Sequence, residues 1–247
     1  QRRQHNESLR PPGPTESRLP TVVVDAGMRV VVNAATSADG KLSTREREQI
    51  AISGPADFER VDRLRAESDA VMVGVGTVVA DDPSLTVDDP ELRAQRRERG
   101  EPENPARVVA DSRIRTPPNA RVLDDSAGSY LLVSDAAPGD FVSQMEQKGA
   151  TVISAGEDRV DLRVAFERLE ADGINQLMVE GGGELIFSLF EAGLVDDLSV
   201  FVGPVLIGGR DAPTLADGEG FVDEFPELTL EAVERLDGGV LLEYDVG

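Results

Sequence analysis

The chain predicts an α/β fold with a mainly parallel central sheet, flanking helices and an antiparallel hairpin at its C-terminal end. Three observations carry this. From residue 29 onward, short apolar runs alternate with amphipathic stretches, the pattern of strand–helix units that pair in parallel. Two of those runs end in glycine turns that lead straight into helical segments, at Gly74-Val75-Gly76-Thr77 and at Glu180-Gly181-Gly182-Gly183-Glu184. Near the C-terminus, Asp237-Gly238-Gly239 joins two β-rich stretches, a hairpin signal.

In order along the chain, residues 1–27 are rich in Pro, Arg and polar groups and read as an unstructured extension. Residues 28–247 form the folded domain. Met28–Ala35 is β-rich and ends at the Ser37-Ala38-Asp39-Gly40 turn. Pro55–Ser68 places Phe58, Val61 and Leu64 at helical spacing, with Pro near its start. The run 70–75 is a buried strand, and the short helix after it is stopped by Asp81-Asp82-Pro83. The segment 88–106 has little apolar content and reads as a solvated excursion. Strands follow at 107–110, 129–133, 151–153 and 174–180. Asp161–Ala171 and Glu184–Ala192 are amphipathic helices stopped by Gly173 and Gly193. Leu198–Ile207 reads as a long apolar strand, a core element or an interface, and Leu228–Arg235 with Val240–Tyr244 closes the fold as the hairpin.

Composition excludes several chemistries. Cysteine is absent and the single histidine, His5, lies in the polar leader. Disulfides, thiolate nucleophiles, thiolate zinc sites and His-based triads are therefore ruled out of the folded domain. An imported cofactor and carboxylate chemistry remain, with no metal site expected. The net charge of −22 repels nucleic acid and anionic membranes. Lys41 and Lys148 are the only lysines, so arginine supplies almost all the positive charge. This acidic, lysine-poor pattern reads as adaptation to concentrated salt, which screens self-repulsion within a few ångströms. With no apolar run near the ~20 residues of a membrane span and no signal peptide visible, the expected compartment is the cytoplasm.

The glycine turns are the first candidate site. A strand that runs into a helix start presents free backbone N–H groups, and glycine lets a bulky anion approach them. Neither turn matches G-x-G-x-x-G or a P-loop, and each is also compatible with plain packing or a flexible loop. Glu180 ends a buried strand, where a carboxylate needs a partner: a ligand, the reading favoured, or a helix terminus. Asp111-Ser112-Arg113-Ile114-Arg115 follows another strand, and Ser and Arg there suit an adenosine 2′-phosphate. A solvated charged turn is the plain alternative. Lys41, after the Asp39-Gly40 turn, suits a substrate phosphate or a carboxylate partner equally.

These segments, in this order, resemble the pyrimidine reductases of riboflavin biosynthesis in their standalone archaeal form, and more distantly the dihydrofolate-reductase-like fold. The resemblance rests on SADGKL (37–42), RLRAESDAVMVGVGTVVADDPSLTV (63–87), RVVADSRIRTPPNARVL (107–123), VEGGGEL (179–185), LVDDLSVFVGPVLIGG (194–209) and APTLADGEGF (212–221). It implies NADPH-dependent reduction of 2,5-diamino-6-(ribosylamino)-4(3H)-pyrimidinone 5′-phosphate to the ribitylamino compound, by a homodimer. It further implies that Thr77 and Asp81 bind NADP beside the nicotinamide ribose and that Ser112 contacts the adenosine. Gly182 to Ser188, the glycine turn with Gly183, Glu184 and Leu185 of the first helical turn, would hold the pyrophosphate, and Gly181 would join them on the cofactor side. Arg65 and Glu180 would face the substrate, Leu85 would line its pocket, and Asn33, Asp39 and Lys41 would add contacts. Any proton transfer would fall to Glu180 or an ordered water. Bacterial members carry an aromatic near Ala51 and an Arg at Asp88, so this chain lacks one stacking surface and one phosphate contact. The competing readings are a reductase of another pterin or pyrimidine, and a nucleotide-binding module without turnover.

Overall fold

The computed structural model describes residues 27–48 and 50–247, so the expected extension lies, apart from Gly27, outside the described residues. One nine-stranded sheet organises them. Its strands are β1 (Arg29–Ser37), β2 (Ala70–Gly74), β3 (Ala106–Ala110), β4 (Ser129–Val133), β5 (Thr151–Ser154), β6 (Gln176–Gly181), β7 (Asp197–Gly203), β8 (Leu228–Leu236) and β9 (Gly239–Val246), in the order β5-β4-β3-β2-β6-β1-β7-β9-β8. Strands β1 to β7 pair in parallel, and the β8–β9 hairpin adds antiparallel to β7. The expected α/β architecture is the observed one.

Parallel strands bury both faces, and the side chains divide accordingly. Ala70, Met72, Leu132, Leu177 and Val179 pack into one core with α5 (Leu162–Ala171) and α6 (Gly183–Glu191). Their neighbours Val71, Val73, Leu131, Val133 and Met178 pack into the other. That second core is covered by Val61 and Leu64 of α1 (Pro55–Glu67), by Val75 and Val78 of α2 (Val75–Asp81), and by Val142 and Met145 of α4 (Gly139–Gln147). Burying a side chain of this kind stabilises by about 1.5–3 kcal/mol. Phe58 departs from the expected apolar face of α1: it is 59% exposed.

Two helices were not legible as such. In the supposed excursion, α3 (Pro90–Glu98) starts on Asp89, whose side chain accepts from Glu91 N–H at 2.7 Å, with Pro90 at its first position. Its buried group is a guanidinium rather than an apolar stripe. Arg96 is 2% exposed and donates to the Ala66 and Ser68 carbonyls at 2.9 and 2.7 Å, satisfying the end of α1. Helix α4 likewise has a short apolar face: Val142 and Met145 pack on the core while Phe141 is exposed. At the other end of α1, Asp237 in the hairpin turn accepts from Ala56 N–H at 3.3 Å and Asp57 N–H at 2.8 Å. A capping carboxylate thus comes from 180 residues away, because the N-cap residue is Gly54.

Strand β7 is shorter than the expected Leu198–Ile207 and stops before Pro204, which has no N–H for a ladder. It lies between β1 and β9 with Leu198, Val200 and Phe201 buried, so it is a core strand and not an available interface. Exposed apolar side chains occur instead at Leu206, past the end of β7, and at Leu228, Leu230 and Val233 on the edge strand β8.

Candidate active site

The chain steps outward from β2 to β5, then returns to place β6 between β2 and β1 before continuing to β7. A reversal of this kind opens a crevice at the C-terminal ends of the strands. Here a cavity of 1540 Å³ runs across the ends of β3, β2, β6 and β1. Three strand spacings separate β3 from β1, roughly 14 Å. Ser112, Arg113 and Arg115 line it after β3, Gly76, Thr77 and Asp81 after β2, and Glu180 near the end of β6 with Gly182–Leu185 after it. Ala34 and Ala35 line it on β1.

The two glycines that open α6 differ in their reasons. Gly182 has φ +56°, and a Cβ there would meet only Thr77 Oγ1 at 3.7 Å, so its side-chain space belongs to the cavity. At Gly183 a Cβ would lie 2.4 Å from the Thr214 carbonyl and 2.6 Å from Asp217 Oδ2. That glycine admits the 212–218 loop, which Asp217 N–H bonds to Gly183 O at 3.0 Å. Gly181 (φ +135°) is buried at the strand end and does not line the cavity.

Glu180 has a partner: Arg65 Nε and Nη2 donate to its two oxygens at 2.6 and 2.7 Å, and Arg65 Nη1 donates to the Thr86 carbonyl at 3.0 Å. The side chains are 19% and 12% exposed. Burial alone would lower the Arg65 pKa, but the charge and hydrogen bonds of Glu180 outweigh it and hold the guanidinium above its ordinary value. The two-point pairing fixes the carboxylate plane, and Glu180 itself lines the cavity. Arg65 therefore stands behind Glu180.

Four other expected substrate residues stand outside the cavity lining. Asn33 Oδ1 accepts from Arg60 Nη2 at 2.7 Å, in a network with Asp57 and Ser199. Asp39 accepts from Ile207 N–H at 3.0 Å, Gly208 N–H at 2.7 Å and Ser37 Oγ at 2.7 Å, bonds that lower its pKa to about 2, Ile207 and Ser37 contributing most. Lys41 Nζ donates to the Ala212 carbonyl at 3.2 Å. Leu85 is 2% exposed in the second core, with φ +54°. The polar groups of Asn33, Asp39 and Lys41 are thus engaged with other parts of the protein, away from the cavity lining. Ser112 faces the cavity, and its Oγ also accepts from Val160 N–H at 3.1 Å, tying down the loop that brings Arg159 to the same end. Sequence reasoning passed over Arg47, Phe58, Arg159 and Asp217, all of which line the cavity. They sit in segments assigned to loops or to a core-facing helix, and only the tertiary fold gathers them.

The RibD C-terminal domain family matches residues 28–242. A 2,5-diamino-6-ribosylamino-4(3H)-pyrimidinone 5′-phosphate reductase of Archaeoglobus fulgidus is 50% identical over 210 residues, 85% of this chain and 94% of that protein. The protein of the same name from Methanothermobacter thermautotrophicus is 45% identical over 220 residues, 88% of this chain and 97% of its own. Among solved structures, a pyrimidine reductase-like protein of Corynebacterium diphtheriae superposes with a TM-score of 0.77 at 20% identity, covering 89% of this chain and 92% of that one. That last likeness shows the fold.

Proposed function

The chain belongs to the RibD C-terminal domain family, and we propose that it is the reductase of riboflavin biosynthesis that converts 2,5-diamino-6-(ribosylamino)-4(3H)-pyrimidinone 5′-phosphate to its ribitylamino form with NADPH. The observation that supports this best is the cavity itself. It sets exposed arginines at the β3 end, a glycine-opened helix at its centre and the Glu180 carboxylate beside it. The residues present fit a dinucleotide phosphate. Gly182 leaves its Cβ space open to the cavity, and Arg113 and Arg115 form no ion pair among the described residues. When bound, NADPH supplies a hydride.

Arg113, Arg115 and Ser112 would hold the adenosine 2′-phosphate, and the start of α6 would take the pyrophosphate. Thr77 and Asp81 would contact the nicotinamide ribose. Glu180, held in plane by Arg65, has lone pairs left to accept from amino groups of the pyrimidine. Arg47, which lines the cavity, would offer positive charge to the substrate phosphate. Reduction of the ring-opened ribosylimine at C1′ also takes up a proton, at nitrogen, for which Glu180 or a water held beside it would be the source. The protein's contribution is chiefly orientation, because neither His nor Cys is present in the folded domain.

We place the enzyme in the cytoplasm at high salt, where a net charge of −22 is screened. Among the described residues no helix is long and apolar enough to cross a membrane. A second copy docking on Leu228, Leu230 and Val233 of the edge strand would make the homodimer. The functional test is NADPH oxidation by the purified chain with the ribosylaminopyrimidinone phosphate in concentrated salt. Turnover with another pterin or pyrimidine, and none with this compound, would refute the assignment.

A further inference from the structure

We propose that Phe58 is the face on which the substrate's pyrimidine ring stacks, an inference that rests on the functional reading above. Phe58 lies on the first turn of α1, lines the cavity, and is 59% exposed. The other apolar positions of that helix, Val61 and Leu64, pack on the core. Phe58 is set apart from them and turned to the site. Ile50, at 40% exposure, lines the same cavity, as do Ala51 and Ile52 in the segment leading into the helix. The loop at 50–52 is Ile-Ala-Ile and itself offers no ring. Among the described residues the one aromatic pair is Phe187 with Phe221, which leaves the Phe58 ring without an aromatic neighbour in the protein. A flat, amino-substituted heterocycle is the part of the substrate that such a ring recognises.

The element that carries Phe58 is held firmly enough to present it. Asp237 accepts from Ala56 and Asp57 N–H at the helix start. Arg60 donates to Asp57 at 2.9 Å, to Asn33 at 2.7 Å and to Ser199 at 3.0 Å, tying the same turn to β1 and β7. Asn33 thereby acts on the substrate end at one remove, through the helix rather than by contact.

The experiment compares wild type, Phe58→Ala and Phe58→Trp by calorimetric binding of the ribitylamino product, by NADPH binding, by melting temperature and by steady-state kinetics. Phe58→Ala should weaken pyrimidine binding about tenfold, the size of one lost stacking contact. It should leave NADPH affinity and, because the ring is largely exposed, melting temperature unchanged. Phe58→Trp should bind the pyrimidine at least as well as wild type. Phe58→Ala with unchanged pyrimidine binding, or with NADPH and pyrimidine weakened alike, would overturn the inference while wild-type turnover kept the functional reading intact. A wild-type chain that binds no pyrimidinone would overturn both.

Discussion

Removing one charge of the Arg65–Glu180 pair tests whether Glu180 serves the substrate or only the fold. Glu180→Gln keeps the shape but turns an amide NH₂ toward a guanidinium that is 19% exposed and has one other acceptor, the Thr86 carbonyl. Breaking a buried pair from one side costs about 3–5 kcal/mol, because the remaining charge is left uncompensated. For a domain of this size each kcal/mol moves the melting temperature by about 2–4 °C, so a drop of about 6–20 °C is expected. A stability loss alone therefore does not separate the two roles. The double variant Arg65→Met, Glu180→Gln does, since it removes the stranded charge and lets the pocket pack as neutral groups. Its stability should recover most of the loss, a coupling of up to about 3 kcal/mol in a double-mutant cycle. Its kcat/KM for the pyrimidine should stay about tenfold to hundredfold below wild type, with NADPH affinity unchanged, as expected for about 1.5–3 kcal/mol of lost charge-assisted hydrogen bonding. Melting curves, cofactor titration and kinetics on the four proteins decide it. A double variant that regains both stability and turnover would remove Glu180 from the site.

Four further outcomes follow from the geometry. Gly182→Val should stay folded near wild-type stability less the strain of a β-branched residue at φ +56°, and should lose NADPH affinity in a direct titration. Gly183→Ala should mainly lower the melting temperature, because its Cβ would meet the Thr214 carbonyl at 2.4 Å. Arg113→Ala and Arg115→Ala should each narrow the preference for NADPH over NADH about tenfold to hundredfold by selective weakening of NADPH; equal effects on both dissociation constants would detach these arginines from the 2′-phosphate. Acid stability carries a sign. Asp39 and Asp124 are both held at about 2, below the ordinary 3.8, the first by Ile207 N–H and the Ser37 hydroxyl, the second by the Ser126 hydroxyl and Arg107. A depressed carboxylate stabilises fully above its unfolded pKa and ceases to as pH falls through the folded one. Asp39→Asn should therefore lower the melting temperature by a constant amount above pH 3.8, and the difference should vanish as pH approaches about 2.

The sequence was most legible where backbone chemistry repeats a local rule. The apolar runs of β2, β3, β4 and β6 and the glycine starts of α2 and α6 are stated by their own residues, and Thr77, Asp81, Ser112, Gly182 and Glu180 do meet around one cavity. It was least legible where a charged group plays a core residue's part. Arg96 fills a buried position through three carbonyls, so α3 showed no apolar stripe. Long-range partners were equally hidden: Asp39 binds residues 207 and 208, Asp237 caps α1, and Arg65 is aimed at Glu180 across 115 positions of sequence. Phe58 obeyed the helical spacing yet faces the cavity, because its first-turn position overhangs the strand ends instead of the sheet.

The most direct measurement of the central claim follows a label. The chain is incubated in concentrated salt with the ribosylaminopyrimidinone phosphate and NADPH deuterated at nicotinamide C4, using each of the two C4 epimers in turn, and the product is analysed by mass spectrometry and NMR. The account predicts a ribitylamino product carrying a single deuterium at C1′ from one epimer and none from the other. A folded, NADPH-binding chain that forms no ribitylamino product, or a product without deuterium at C1′ from either epimer, would contradict it.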